Sequence, residues 1–391
     1  MTVIINKPGF NLRETLTSLK RKIGIKGAEL MAAETLDDVY SVIGTNRNKI
    51  INGAMVIDQR NAGASKLISS NTNSYILDRW RIWVYGGDAS SATLQQSTLS
   101  PEGFINSLQW TVTSADTSLS SGDYHLIAQY IEGFNVADFG WGATNAQPAT
   151  LSFWVRSSVA GTYGCAASNQ TQSRSYPFTY TINAANVWER KVIVIPGDIT
   201  GTWQKTTSAG ILLFWSLGTG STYQGTSGIW DSSIKLTSVG CLNLMATANA
   251  TFNITGVQLE VGSVATPFEH RPYGTELALC QRYFYSLLSD GSSNGRSLGI
   301  TGVVSGGNTT RAGGFHPVPM RAIPTITIAG LRQWDGSAAP SITGISLSSC
   351  TKEALSIDVT GGGLTDGRAG TVLFQGNVSA SQGYLKADAE L

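Results

Sequence analysis

The sequence predicts a mainly β protein: a short N-terminal helical anchor, a jelly-roll β-sandwich, a short linker helix and a C-terminal β-sandwich. Three observations lead there. Only 14% of the 391 residues are charged and 44 are glycine, the profile of many strands joined by tight polar turns. Short runs of β-branched and aromatic residues recur between Gly, Ser, Asn and Asp clusters, without long helical patterns between them. The apolar period also changes from two to helical within residues 254–285, which marks a joint between two architectures.

Residues 1–48 are the anchor. Asn11 with Glu14 makes a capping box, and Leu12, Leu16, Leu19 and Ile23 mark an apolar stripe that Gly24 and Gly27 end. A second piece restarts at Thr35 with Asp38 and runs to Gly44. Segments this short build no core of their own. The stripe is expected to dock on another protein, with packing onto its own domain or an oligomer bundle as the alternative.

Residues 49–273 carry the jelly roll. Its strands are expected at 75–85, 151–155, 187–195, 211–217 and 242–246. At the joint, Val257, Leu259 and Val261 alternate with Gln258 and Glu260, predicting a strand with one face buried and the other wet. Gly262 stops it. Pro267 and Pro272 hold residues 268–271 extended, and Glu269, His270 and Arg271 between them are expected to fix the joint by polar contacts. Leu277, Cys280 and Phe284, with Leu279 and Tyr283 beside them, then predict a linker helix over 274–285.

Residues 286–391 form the second β unit, expected to serve receptor binding or trimerisation. Strands are predicted at 325–328, 345–347, 355–359 and 372–374, separated by Gly306-Gly307, Gly313-Gly314 and 361–363. Residues 315–321, followed by Pro324, read as a proline-stiffened extended strand.

Function classes narrow quickly. The net charge of +1 recruits neither nucleic acid nor an acidic membrane surface. No apolar run of about 18 residues predicts membrane insertion, and the start has no Sec-type signal pattern. Cys165, Cys241, Cys280 and Cys350 make no CxxC pair and are expected to be buried free thiols. His125, His270 and His316 are scattered, so no metal site is expected; a structural calcium stays open, with no ligands to name. No GxSxG elbow or Walker loop occurs. Asp116, Asp123, Asp138 and Asp231 read as turn-formers rather than a hydrolytic pair, so the expectation is no catalytic residue and no enzyme.

Saccharide binding needs less machinery: an exposed aromatic face beside amides or hydroxyls. Two glycine-softened loops have that make-up. One offers Trp141 and Asn145 beside Phe139; the other, TGSTYQGTSGIWDS (219–232), offers Tyr223, Gln224, Trp230 and Asp231. Trp80, Trp154 and Trp215 lie inside strand runs and are expected to pack.

ATLSFWVRSSVAGTY (149–163), VWERKVIVIPGDITGTW (187–203) and ITGVQLEVGSVATPFEHRPYGTELALCQRYF (254–284) resemble the carbohydrate-binding-module-like jelly roll of tailed-bacteriophage tail fibres and related virion appendage proteins. NKIINGAMVIDQRNAG (48–63), residues 315–325 and the DAEL at 388–391 are similar to parts of the same proteins, so the resemblance covers about residues 45–391. It implies a structural virion protein in the tail, assembled in the host cytoplasm as a homotrimer. Residues 1–45 would attach to a tail adaptor, nozzle or baseplate protein, and the remainder would bind a host surface polysaccharide or lipopolysaccharide. A capsid decoration or head fibre with a structural jelly roll is one alternative. A polysaccharide depolymerase tailspike is another, although the fixed-period repeat of a long β-helix is missing.

Overall fold

A computed structural model describes residues 47–86, 90–288, 297–306, 308–329, 331–336, 342–374 and 384–391. The predicted anchor, with Leu12, Leu16, Leu19 and Ile23, lies outside the described residues. The first body runs through β1 (Lys66–Ser69), β2 (Asn73–Leu77), β3 (Trp80–Tyr85), β4 (Ser91–Ser97), β5 (Ser107–Ser114), β6 (Tyr124–Glu132) and β7 (Ala149–Ser157). It continues through β8 (Gly161–Ser168), β9 (Ser175–Ile182), β10 (Glu189–Ile195), β11 (Ala209–Thr219), β12 (Gln224–Gly225), β13 (Thr237–Ser238) and β14 (Thr251–Val261). Helix α1 (Tyr273–Gln281) follows. The second body holds β15 (Phe284–Leu288), β16 (Ser297–Ser305), β17 (Thr309–Phe315), β18 (Thr325–Ala329), β19 (Leu331–Trp334), β20 (Gly344–Leu347), β21 (Ala354–Thr360), β22 (Ala369–Phe374) and β23 (Tyr384–Asp388).

The protein is therefore mainly β, with two sandwich-like sheet pairs and few short helices. In the first pair, a six-stranded sheet in the order β1-β4-β5-β14-β7-β10 faces another in the order β2-β3-β6-β11-β8-β9. Their inner faces share one core that includes Trp80, Trp110, Trp215, Phe153, Tyr163 and Phe252. Strand alternation sorts the side chains: in β3, Trp80, Ile82 and Val84 go inward, and Arg81, Trp83 and Tyr85 go outward. In the second pair, a three-stranded sheet β15-β23-β18 accompanies a six-stranded sheet β19-β22-β16-β17-β21-β20. Ile300, Ile357, Val359, Val372 and Leu385 are in its core.

Several elements differ from expectation. Residues 75–85 are not one strand but part of the antiparallel β2–β3 hairpin, turning at Arg79 with φ +68°. Residues 242–246 are not a strand; Leu244–Ala246 is a 3-10 turn. Strand β14 has no wet face before Val261, because Gln258 and Glu260 are buried. The proline linker folds over them: Thr266 donates to Glu260 through its backbone N–H and hydroxyl, and the Glu269 N–H donates to Gln258. The linker helix ends at Gln281 rather than 285, since Phe284 already pairs with Asp388 in a sheet. Gly313 and Gly314 lie within β17, opposite Ser356 and Leu355, and β17 stops at Phe315, so residues 316–321 are not a strand.

The joint holds the start of the described chain. Arg271 donates to the carbonyls of Ile50 and Asn48 and lies 3.4 Å from the Glu276 carboxylate, while Glu269 accepts from the Asn48 N–H. Further contacts tie the second body to the first. Arg282 and Tyr283 both donate to the buried Glu132 carboxylate. Arg321 donates to the carbonyls of Thr207, Ala389 and Glu390. The Glu390 carboxylate is buried between Arg60 and Arg79, and the Arg79 guanidinium lies 3.6 Å from the Tyr283 ring centroid.

Candidate functional site

The outward face of the second large sheet carries an aromatic field. β3 supplies Arg81, Trp83 and Tyr85; β6 supplies Tyr124 and Tyr130; β11 supplies Leu212 and Phe214. Their registers place them side by side, Trp83 opposite Leu126 and Phe214 opposite Ala128. Trp83 meets the Tyr124 ring edge-on at 5.1 Å and the Phe214 ring at 5.9 Å. Tyr85 stacks on Tyr124 at 5.8 Å, and the Arg81 guanidinium lies 4.7 Å from the Tyr130 ring. Such edge and offset contacts hold each ring in a fixed plane.

Two segments cover parts of this field. Tyr223, Ile234 and Leu236 pack over one end, and Leu391 packs over the other. Tyr85 keeps 54% of its surface exposed, and Trp83 is half-buried. Beside Trp83 opens a groove of about 390 Å³ lined by Trp83, Tyr130, Gln170, Gln172, Leu212, Arg321 and Leu391, among others. The side-chain amides of Gln170 and Gln172, in the β8–β9 connection, make no hydrogen bond among the described residues. Among the described residues, no Asp or Glu side chain lines the groove. Burial pushes the Tyr124 phenol up to about 12 and raises Tyr130 as well, so both stay neutral hydrogen-bonding groups at physiological pH. Among the described residues, no group of three or more His, Cys, Asp or Glu is arranged to hold a metal ion.

The six residues expected from the two loops do not form one site. Trp141 is 3% exposed, which corrects its reading as a binding face. Its indole N–H donates to the Gln147 carbonyl, and its ring stands edge-on to Trp203 at 4.7 Å and Trp230 at 5.4 Å. Trp230 is the half-buried cover of this cluster, with its N–H donating to the Pro196 carbonyl and Tyr176 at 5.1 Å. Arg174, clamped bidentately by Asp198, lies 5.7 Å from the Trp230 ring. Asp231 exchanges backbone hydrogen bonds with Ser175, and its carboxylate accepts from the Ser233 N–H and hydroxyl. Those bonds hold it below the usual carboxylate range. Asn145 is exposed, its backbone carbonyl taking a bond from Gln147.

Tyr223 and Gln224 go elsewhere. Tyr223 stands edge-on to Tyr124 at 5.5 Å and so borders the aromatic field. Gln224 donates to the Thr219 carbonyl and lines a separate cavity. Trp83 and Tyr85, in the aromatic field, are not among the residues expected from the sequence. The signal was present in WRIWVY (80–85): period two puts Trp83 and Tyr85 on the face that Arg81 marks as outward.

No family model matches the chain, and no curated protein matches it. Among solved structures, the enzymatically active domain of tailspike protein 4 of bacteriophage CBA120 aligns at 11% identity and TM-score 0.30, over 55% of this chain and 21% of that one. This chain thus spans about a fifth of that tailspike domain. A family 11 carbohydrate-binding module of Clostridium thermocellum, solved with a mixed-linked tetrasaccharide, aligns at 12% identity and TM-score 0.25, over 54% and 100%. The CBM22-1-GH10 modules of xylanase 10B from the same organism, solved with xylohexaose, align at 13% identity and TM-score 0.26, over 50% and 28%. These are loose likenesses, and the functional reading rests on the aromatic face itself.

Proposed function

We propose that the chain is a non-enzymatic virion appendage protein, a tail fibre that binds a host surface polysaccharide or lipopolysaccharide through the outward face of its second large sheet. The observation that carries the binding role is the groove itself: a half-buried Trp83 lines it together with Gln170 and Gln172, whose side-chain amides make no hydrogen bond among the described residues. A sugar ring presents an apolar face of C–H groups to an aromatic plane and a rim of hydroxyls to amides. Attachment to the tail through residues 1–45, and assembly as a homotrimer in the host cytoplasm, follow the resemblance at residues 254–284 and belong to the same proposal.

The test compares wild type with Trp83→Ala on an array of bacterial polysaccharides and lipopolysaccharides. Wild type should bind a subset, and Trp83→Ala should weaken that binding about 10-fold, the loss of one stacking partner, with an unchanged circular dichroism spectrum. Equal binding by both proteins would remove the groove from the reading. New reducing ends released from a bound polysaccharide would move the protein to the depolymerase class.

A further inference from the structure

A second concavity lies at the far end of the same sheet, beyond the covering segment. It measures about 350 Å³, at the lower end of the range of about 300–1,000 Å³ usual for small-ligand pockets. Ser121, Ser216, Thr219, Ser221, Gln224 and Asn243 line it, and among the described residues no charged side chain does. Sequence and fold converge on this spot for separate reasons. β11 ends here at Thr219, β12 and β13 pair in parallel to hold Gln224 beside Thr237, and the 3-10 turn Ser221–Tyr223 forms the rim. Glycine makes the room. A Cβ at Gly218 would sit 2.5 Å from Asn243 Oδ1, and one at Gly220 would sit 2.0 Å from the Ser120 carbonyl.

The wall holds hydrogen-bonding capacity that the fold leaves unused. The hydroxyls of Ser121 and Ser221, both exposed at the lining, make no hydrogen bond among the described residues. An ionic ligand would enter a lining with no opposite charge and lose its hydration. An apolar ligand would strip water from the hydroxyls without replacing their bonds. A compact, uncharged molecule with many hydroxyls meets both conditions.

We infer that this cavity is a second saccharide subsite, which takes a single neutral hexose or N-acetylhexosamine unit, separate from the groove at Trp83. It shares the ligand class of the proposed function but none of the groove's lining residues, so the two fail independently.

The test titrates the intact chain with D-glucose, D-galactose and N-acetyl-D-glucosamine as free sugars, read by saturation-transfer NMR. Wild type and Trp83→Ala should both show transfer to at least one sugar. Gln224→Leu should lose about 2- to 10-fold in affinity, the loss of one hydrogen bond. Ser221→Arg, at an exposed rim position that tolerates a long side chain, should block the mouth and abolish transfer while leaving the melting temperature unchanged. Absence of transfer to every sugar with wild type overturns the subsite, even if polysaccharide binding through Trp83 stands. Transfer that Trp83→Ala abolishes and Ser221→Arg leaves intact also overturns it, by placing the sugar in the groove.

Discussion

Trp80 and Trp83 are three residues apart on one strand and have opposite fates. Trp80 is fully buried against Trp215 at 5.5 Å, with its N–H donating to the Asn52 carbonyl, whereas Trp83 opens onto the groove. Parity along β3 decides this, since side chains three apart in a strand point to opposite faces. The same hairpin holds a titratable group of interest. Burial pushes the Asp78 carboxyl up to about 7, against the pull of Arg60 and two hydrogen bonds from Gln59. A carboxyl protonated more easily in the folded state adds stability that is full below its unfolded value, near pH 4, and is lost as pH rises through about 7. Burial lowers both His125 and His316, which contribute in the opposite sense: their stability is present above the unfolded value near 6.5 and lost as pH falls. Comparing wild type with Asp78→Asn isolates the carboxyl. From pH 4 to 7, wild type should lose melting temperature relative to the variant; parallel curves would show that Asp78 titrates normally.

At the scale of elements, local pattern and long-range contact divide what the sequence reveals. Strands β7, β10, β11, β18, β20 and β21 follow from their β-branched and aromatic runs, and the nine-residue helix α1 from its spacing. Gln258 and Glu260 misled because their burial is set by Thr266 and Glu269 in the linker, not by anything within β14. Trp141 misled for a related reason: its loop is glycine-rich and polar, yet Trp203 and Trp230, distant in sequence, close around it. Tyr85 was legible by alternation alone. The groove's Gln170, Gln172 and Arg321 were not, because only the folded chain brings a β8–β9 connection next to the second body. That second body leans on the segment after β23. Removing the Glu390 carboxylate leaves Arg79 and Arg60 buried without it. Glu390→Ala should therefore cost about 3–5 kcal/mol, measured by chemical denaturation, and Glu390→Gln less. A midpoint unchanged in Glu390→Ala would show that the pair adds nothing.

At the scale of the molecule, sheet edges left open among the described residues and exposed apolar side chains set the expectation for assembly. Edge strand β10 turns Val192 and Val194 to solvent at 48% and 42% exposure, and β1, at the other edge of its sheet, exposes Leu67 at 66%. In the second body Phe315 is 89% exposed and Val303 57%. Unpaired edges with apolar side chains are costly to leave in water, and a homotrimer would cover some of them while multiplying weak sugar contacts. Sedimentation equilibrium should give three times the chain mass of 41.4 kDa. A monomer at every concentration would remove the homotrimer from the proposal and, with it, avidity as a source of affinity.

The polar clasp between the start of the described chain and β14 also fixes a timetable. Asn48 bonds to the backbone of Val257 and Leu259, 209 and 211 residues later, and Gly53 accepts from Val257. On a ribosome adding about 5–20 residues per second, that partner emerges roughly 10–40 seconds after Asn48 does. Until then Ile50 and Met55, both buried in the same core as Val257 and Leu259 in the finished fold, have no β14 to settle against. The first sandwich therefore cannot close progressively from its N-terminal side during synthesis. The yield of native protein should therefore be more sensitive to translation speed and chaperone supply than its finished stability suggests.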